Sequence, residues 1–187
     1  TRQYLHAFAV HGYVDGIQLD IGSAADWGWF ASKTDSYNKK MWMTETGFGN
    51  GTWDKIFNSG KGLFLALKYG HVSLWTYWTI QDNLLATQIP DARTAVARQF
   101  FRFLRPGFTQ VDCSDNTKDF ISMAFRKGND WVIMMMNGSN NEQVITMNPA
   151  AGTTIPTSWQ RYQSTENQYC SFTGILTSNT LTLPPLS

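Results

Sequence analysis

The sequence has few charged residues and no excess of either sign. Fifteen Lys and Arg residues oppose fourteen Asp and Glu residues in a chain of 187, and the formal net charge is +1. No run of basic residues offers a phosphate-binding surface, so we expect no nucleic-acid partner. Charged residues make up 16% of the chain and hydrophobic residues 42%, which excludes a disordered protein.

Long apolar runs and clustered metal ligands are also missing. No apolar run approaches the roughly 20 residues that span a membrane, so we expect no membrane span. The only two cysteines, Cys113 and Cys170, are far apart in sequence, and a disulfide and two buried thiols are equal alternatives. No residues cluster with metal-ligand spacing and no glycine-rich phosphate cradle occurs, so we expect no cofactor.

Aromatic residues, by contrast, are abundant. They make up 14% of the chain and include eight Trp, more than a core of this size usually needs. Surplus Trp and Tyr in polar surroundings are typical of platforms for flat ligands such as sugar rings. Two triplets, beginning at Asn50 and Asn137, match the glycosylation pattern, which is a weak signal.

The first 107 residues alternate between two kinds of pattern. Short apolar stretches predict strands, and longer stretches with helical spacing predict helices. The expected elements are a strand at Leu5–Val10, a short helix after the cap Ser23–Asp26, a strand ending at Glu45, a helix at Trp53–Tyr69, a strand at Val72–Ile80 and a helix at Ala92–Leu104. This alternation predicts an α/β unit with a parallel sheet covered by helices.

From Phe108 the hydrophobic period changes from helical to two. Seven strands are predicted: Thr109–Cys113, Phe120–Arg126, Trp131–Asn137, Gln143–Met147, Ser158–Gln163, Cys170–Leu176 and Thr180–Leu183. They predict an all-β unit with antiparallel pairing, packed as a β-sandwich. The expected domains are therefore residues 1–107 and 108–187.

The segment KMWMTETG, Lys40–Gly47, contains the end of the second predicted strand. Met41, Met43 and Glu45 share one face of an extended segment, so a carboxylate follows two bulky apolar side chains. A polar residue at the carboxyl end of a barrel strand is typical of a catalytic site. A helix N-cap or a loop carboxylate is the structural alternative for Glu45.

Polar and aromatic side chains also follow the other two strands. They are His11, Tyr13 and Asp15 after the first, and Trp75, Tyr77 and Trp78 in the third. With Glu45 they fit glycoside hydrolysis, in which a carboxylate attacks an anomeric carbon and aromatic faces hold the sugar. We expect Tyr13 to donate a hydrogen bond to Glu45, and Trp27 and Trp29 are candidates for outer sugar subsites. Each of these rings has a packing role as its structural alternative.

Four motifs, in this order, resemble glycoside hydrolase family 30. They are VHGYVD at Val10–Asp15, MTETG at Met43–Gly47, WTYW at Trp75–Trp78 and FFRFLRPG at Phe100–Gly107. That family includes glucuronoxylanases and glucosylceramidases and is built as a (β/α)8 TIM barrel with an attached side β-domain. The resemblance implies that this chain holds about strands six to eight of the barrel and the side domain. It implies a retaining endo-β-1,4-xylanase with a polysaccharide substrate, and we expect a secreted protein.

The resemblance also implies residue roles. Glu45 corresponds to the nucleophile after strand seven, His11 and Tyr13 lie after strand six, and Trp78 lies after strand eight in the subsite of the attacked sugar. Gly12 departs from the glucosylceramidase-like pattern, which has Trp at that position. This departure puts the glucosylceramidase-like substrate branch in doubt. A family 30 β-glucosidase or glucosylceramidase-like enzyme is thus an alternative.

The general acid of the family lies in an upstream Asn-Glu-Pro-like motif, on a strand for which this chain has no room. A full barrel needs roughly 250 residues, and the chain opens at Thr1 rather than Met. We therefore expect a portion of a longer protein that needs the missing N-terminal half of the barrel. Asp15 and Asp82 are the other acids expected near the rim.

Two alternatives involve no catalysis. In one, the β unit is a carbohydrate-binding module with Trp131 and Trp159 as its platforms. In the other, it buttresses the barrel through Phe108, Phe120 and Trp131. Two cations near the last loop, Arg93 and Arg98, suit either recognition of an acidic side group on the polymer or a solvated helix face.

Overall fold

The computed structural model describes residues 2–18, 22–47, 52–79 and 92–187. The chain divides into two compact units, Thr1–Arg93 and Thr94–Ser187. Predictions for Asp82, for the triplet at Asn50 and for the end of the third strand at Ile80 lie outside the described residues. No helix in the described ranges is long and apolar enough to cross a membrane.

The first unit contains a parallel sheet of three strands in chain order: β1 (Ala7–His11), β2 (Lys40–Glu45) and β3 (Val72–Trp75). A 3₁₀ helix (Arg2–Tyr4) precedes β1, and two helices follow the first two strands: α1 (Ala24–Ser36) and α2 (Trp53–Gly70). The predicted alternation of strands and helices is therefore confirmed. Strand β3 is shorter than predicted, since its pairing with β2 ends at Trp75.

Helix α1 begins with the predicted capping box. Ser23 Oγ accepts a hydrogen bond from Asp26 N at 3.2 Å, and Asp26 Oδ2 accepts one from Ser23 N at 2.8 Å. These bonds satisfy N–H groups that the start of a helix leaves open. Helix α2 continues through its two interior glycines and includes Gly70, the predicted stop. His71 instead takes the left-handed conformation that ends the helix, with φ at 53°.

The core of the first unit lies between the sheet and its helices. Fully buried side chains come from three elements: Trp27 of α1, Met41 and Met43 of β2, and Leu63 and Phe64 of α2. A Cβ at Gly70 would lie 2.7 Å from Trp27 Cε3. Glycine at this position thus lets the end of α2 approach the Trp27 indole closely.

The second unit contains most of helix α3 (Ala92–Phe101) and the seven strands that the period of two predicts. These strands are β4 (Thr109–Val111), β5 (Phe120–Lys127), β6 (Asp130–Asn137), β7 (Gln143–Thr146), β8 (Trp159–Thr165), β9 (Gln168–Leu176) and β10 (Thr180–Leu183). They form three sheets, β4-β5-β6, β7-β10 and β8-β9, and every pair is antiparallel. The antiparallel pairing is confirmed, whereas the sandwich stays a prediction.

Helix α3 contacts the β8-β9 sheet. Gln99 Nε2 donates to the Tyr162 carbonyl oxygen at 3.1 Å, and Ser164 Oγ donates to Gln99 Oε1 at 2.9 Å. The second compact unit begins at Thr94, and the domain boundary after Gly107 that the change of period predicts stays a prediction. The period marks where strands begin and carries no information about which unit the last helix packs on.

An apolar cluster of the second unit joins four of its strands, β5, β6, β7 and β10. Phe120, Ile145 and Leu183 are buried, and Met135 and Leu181 pack against them. Of the residues expected to buttress the fold, Phe120 therefore lies in a core.

The tryptophans Trp131 and Trp159 lie outside this cluster and are partly exposed. The Arg126 guanidinium lies 5.3 Å from the centre of the Trp131 ring. One face of Trp131 is therefore occupied by a cation rather than open to a ligand. Phe108 is also only partly buried.

Asn137 ties the turn after β6 to the end of the chain. Its Nδ2 donates to the carbonyl oxygens of Asn141 (2.8 Å), Leu183 (3.3 Å) and Pro184 (2.8 Å). Its Oδ1 accepts from the N–H and the hydroxyl of Ser139, at 3.0 and 2.8 Å. Because the residue is fully buried, the folded chain leaves no room for a glycan at this triplet.

Both cysteines are free thiols. Cys113 Sγ lies 3.0 Å from Ser122 Oγ, and Cys170 is buried. Burial raises the pKa of the Cys170 thiol, against the smaller lowering effect of Arg98 and Arg102. The structure therefore contains two separate thiols rather than a disulfide.

Candidate active site

The carboxyl ends of the three parallel strands form one edge of the sheet, and polar side chains collect there. His11 ends β1 and lies opposite Glu45, which ends β2, after an irregularity in the pairing. The Gly12 N–H donates to the Glu45 carbonyl oxygen at 2.8 Å. Beyond β3, the Thr76 N–H donates to the Met43 carbonyl oxygen at 2.9 Å. The strands thus stay joined by backbone hydrogen bonds up to the edge that carries Glu45.

The His11 ring lies between two carboxylates. Its Nε2 is 3.7 Å from Glu45 Oε2, and its Nδ1 is 3.3 Å from Asp15 Oδ2. The side chain of Glu45 is 29% exposed. It is therefore partly enclosed by the protein and still open to a ligand.

Tyr13 lies at the same edge but does not make the predicted hydrogen bond. In the described part of the chain, no hydrogen bond joins its hydroxyl to Glu45, so that prediction is wrong, and the group in contact with Glu45 is instead His11. The Tyr13 and His11 rings meet edge to face, with centres 6.3 Å apart. Burial raises the pKa of the Tyr13 phenol, and the negative charges of Glu45 and then Asp15 raise it further. Glu45 thus acts on Tyr13 through its charge.

The three aromatic residues at the end of β3 differ in exposure. Trp78 is 61% exposed, Trp75 is partly buried and Tyr77 is buried. The Trp75 and Tyr77 rings pack together, with centres 6.2 Å apart, and burial raises the pKa of Tyr77 well above its ordinary value. The Trp78 side chain is therefore largely exposed, whereas direct ligand contact by Tyr77 is not supported by its buried position.

The two tryptophans of α1 do not both suit the predicted outer subsites. Trp27 is 0% exposed, and Gly70 of α2 lies against it. Since additional protein can only bury it further, the prediction of a sugar-binding role for Trp27 is corrected. Trp29 is exposed, with Lys33 Nζ 5.2 Å from its ring centre. No contact within the described residues joins Trp29 to His11 or Glu45.

Two further features of the first unit differ from what the sequence predicts. The contact between His11 and Asp15 was missed, although an HxxxD spacing was its available signal. Arg93 is buried, so a solvated helix face does not explain that residue. In the described ranges, no three His, Cys, Asp or Glu side chains come together as metal ligands.

Comparison with known proteins identifies the fold. No protein-family model matches the sequence, and no curated protein matches it. Solved structures do match it. A family 30 endoxylanase from Clostridium papyrosolvens has a TM-score of 0.82 at 22% identity, over 99% of this chain and 48% of that one.

Two other solved structures are similar to this chain. A family 30 subfamily 8 xylanase from Clostridium acetobutylicum has a TM-score of 0.81 at 20% identity, over 100% of this chain and 48% of that one. A conserved exported protein from Bacteroides fragilis has a TM-score of 0.75 at 15% identity, over 96% of this chain and 44% of that one. The chain thus spans about half the length of these proteins. Two of these structural neighbours are glycoside hydrolase family 30 xylanases, and the chain has the fold of about half of such a protein.

Proposed function

We propose that this chain is the part of a family 30 retaining glycoside hydrolase that carries the catalytic nucleophile, Glu45, and that the enzyme cleaves xylan internally. The observation that carries the proposal is the position of Glu45. It ends a parallel strand, is partly exposed and lies beside His11. A carboxylate at the carboxyl end of such a strand is where (β/α)8 enzymes hold their catalytic groups. The likeness in fold to family 30 xylanases supports the substrate class.

In the proposed mechanism, one Glu45 oxygen attacks the anomeric carbon of a xylose unit. The bond from that carbon to the glycosidic oxygen breaks, and a general acid gives its proton to the leaving oxygen. Water then attacks the resulting glycosyl ester, gives a proton back to that acid and releases Glu45. The product keeps the original anomeric configuration.

The remaining residues at the edge bind the sugar in this proposal. Trp78 offers its exposed indole face to the pyranose ring, where apolar C–H groups stack on an aromatic surface. His11 and Tyr13 present hydrogen-bonding groups at the edge that carries Glu45, and Trp75 packs on Tyr77. Trp29 stays a proposed outer contact, supported by its exposed ring alone, and one face of that ring is covered by Lys33.

The general acid and the rest of the barrel come, in this proposal, from protein beyond the described strands. The three strands and their helices then correspond to units six to eight of an eight-stranded barrel, with the β unit as the side domain. A retaining pair needs two carboxyl groups roughly 5 to 5.5 Å apart, and the carboxylate linked to Glu45 through His11 is Asp15. Because xylan is a polymer too large to enter a cell, we also propose that the enzyme is secreted.

The alternative functions have less support. A carbohydrate-binding module with Trp131 and Trp159 as platforms needs open indole faces, and both residues are only partly exposed. A glucosylceramidase-like branch has Trp in place of Gly12. A Cβ at Gly12 would already lie 2.1 Å from Thr46 Oγ1. A larger residue at this position therefore requires a different neighbour from Thr46.

The nucleophile is tested by covalent labelling of the protein that contains this chain. A xylobioside with fluorine at C2 and a good leaving group slows release of the glycosyl ester, so that the ester accumulates. We expect peptide mass spectrometry to find the label on the peptide with Glu45 and to find no label in Glu45→Gln. The control is Glu166→Gln, an exposed acid in the turn after β8, which should label and hydrolyse xylan normally. A label on another residue would overturn the assignment.

The origin of the general acid is tested with the 187 residues alone. If the acid lies outside them, the isolated chain should show no xylan hydrolysis even when circular dichroism and size-exclusion chromatography show a folded monomer. Turnover that disappears in the Glu45→Gln variant would place the acid within the chain. Asp15 and Asp82 would then be the residues to replace.

A further inference from the structure

The two nitrogens of His11 are held differently. Nδ1 lies 3.3 Å from Asp15 Oδ2, and Nε2 lies 3.7 Å from Glu45 Oε2. An ionised carboxylate can only accept a hydrogen bond, so we expect a ring with one proton to keep it on Nδ1, the nitrogen with the nearer carboxylate. Nε2 is then the nitrogen that faces Glu45.

The loop after β1 is folded so that Asp15 returns to His11. The Ile17 N–H donates to the His11 carbonyl oxygen at 3.0 Å, and the Gly16 N–H donates to the Tyr13 carbonyl oxygen at 2.9 Å. A Cβ at Gly16 would lie 1.9 Å from the His11 carbonyl oxygen. The turn thus requires glycine directly after Asp15, and any side chain there opens it.

We propose that Asp15 is a positioning residue for the nucleophile. It holds the His11 ring by Nδ1, so that Nε2 stays against the Glu45 carboxylate and limits its rotation. This inference deepens the proposed function and rests on it, because it assigns Asp15 a purpose only if Glu45 is the nucleophile. The Asp15 side chain is 67% exposed, so its contact is weakened by solvent. Its loss should therefore lower kcat about threefold to tenfold rather than abolish activity.

The geometry is tested without any assay of activity. At a pH where the ring is neutral, long-range proton–nitrogen correlation NMR reports which nitrogen of a histidine carries the proton. The chain has three histidines, and His→Gln variants assign their signals. We expect the proton of His11 on Nδ1 in the unmodified protein. In Asp15→Ala the signal should shift toward the form protonated on Nε2. An Nε2-protonated ring in the unmodified protein, or no change in Asp15→Ala, would overturn the proposal.

A matched control lies elsewhere in the same unit. His71 Nδ1 is 3.5 Å from Asp35 Oδ2, and both side chains are exposed. Asp35→Ala should therefore change the protonation pattern of His71 in the same spectrum while leaving His11 and the rate of xylan hydrolysis unchanged. If Asp35→Ala lowers the rate of xylan hydrolysis as much as Asp15→Ala does, the lower rate of Asp15→Ala does not come from a change in the position of the His11 ring.

Kinetics on the protein that contains this chain separate positioning from binding. Asp15→Ala should lower kcat with little change in KM, since Asp15 touches His11 rather than the sugar. Gly16→Ala keeps the carboxylate but opens the turn, and it should give the same pattern. A rise in KM alone would make Asp15 a sugar contact and overturn the proposal. If the unmodified protein does not hydrolyse xylan, the proposed function fails, whereas the NMR result still decides whether Asp15 orients His11.

Discussion

A Cβ on Gly12 would lie 2.1 Å from Thr46 Oγ1 and 2.6 Å from Thr46 Cβ. Thr46 is fully buried and directly follows Glu45. The Gly12 N–H also donates to the Glu45 carbonyl oxygen at 2.8 Å. The position of the Glu45 backbone therefore depends on the absence of a side chain at residue 12.

We predict that Gly12→Ala destabilises the protein by about 1 to 3 kcal/mol, the usual cost of forcing extra atoms into a packed site. Because the added methyl group displaces Thr46, the neighbouring Glu45 should move as well, and kcat/KM for xylan should fall at least about tenfold, which is 1.4 kcal/mol in transition-state stabilisation. Chemical denaturation and steady-state kinetics measure the two effects.

Gly28 provides the matched control. It lies within α1, and a Cβ there would meet nothing within 4 Å. Since alanine favours a helix over glycine by about 1 kcal/mol, Gly28→Ala should be neutral or stabilising. If Gly12→Ala is no more harmful than Gly28→Ala, the contact with Thr46 does not fix the Glu45 backbone.

A second prediction uses Tyr13 to detect the charge of Glu45. Burial is the largest cause of the raised Tyr13 pKa, followed by Glu45 and then Asp15. Glu45→Gln should therefore lower the pKa of Tyr13 while leaving it above its ordinary value, and Asp15→Ala should lower it less. Titration by NMR with 13C-labelled tyrosine measures both shifts, and a Tyr13→Phe variant assigns the signal. An unchanged Tyr13 pKa in Glu45→Gln would mean that the two groups do not share one edge in solution.

The local features of this chain could be predicted because each has a local physical cause. The cap at Ser23 and Asp26 follows from the needs of helix N–H groups, and Glu45 at a strand end follows from the alternation in KMWMTETG. The predicted sugar-binding role of Trp27 is wrong because the residues around it in the sequence do not show which face of α1 packs against Gly70. The contact between His11 and Glu45 depends on strand register, which composition and period do not determine.

A third prediction concerns Asn137, whose side chain makes five hydrogen bonds in a fully buried position. Asn137→Ala should destabilise the protein by roughly 2 to 3 kcal/mol, because buried groups around it lose their partners. Chemical denaturation measures the loss. Asn140→Ala, at an exposed neighbouring position, should stay within about 0.5 kcal/mol. Similar losses in both variants would argue that the end of the chain is not held by Asn137.

The cap of α1 contains an aspartate whose ionised form is favoured by folding. Asp26 Oδ2 accepts hydrogen bonds from the Ser23 hydroxyl at 2.7 Å and from the Ser23 N–H at 2.8 Å. These bonds, the hydroxyl first, lower the pKa of Asp26 below its ordinary value of 3.8. Asp54 lies in the first turn of α2, and in the described residues the capping residue of that helix, Thr52, makes no side-chain hydrogen bond to it.

We predict that the stability contributed by Asp26 depends on pH in a defined direction. The pKa of Asp26 is lower in the folded protein than in the unfolded chain. The stability that its carboxylate contributes is therefore fully present at pH values above the unfolded-state pKa. It is lost as the pH falls through the folded-state pKa. The Tm of Asp26→Asn should therefore lie below that of the unmodified protein at pH 7, and the gap should close below about pH 4. Thermal melts followed by circular dichroism across this range measure it. Asp54→Asn should give a smaller gap, and a gap for Asp26→Asn that is constant from pH 7 to strong acid would contradict the assigned role of the ionised carboxylate.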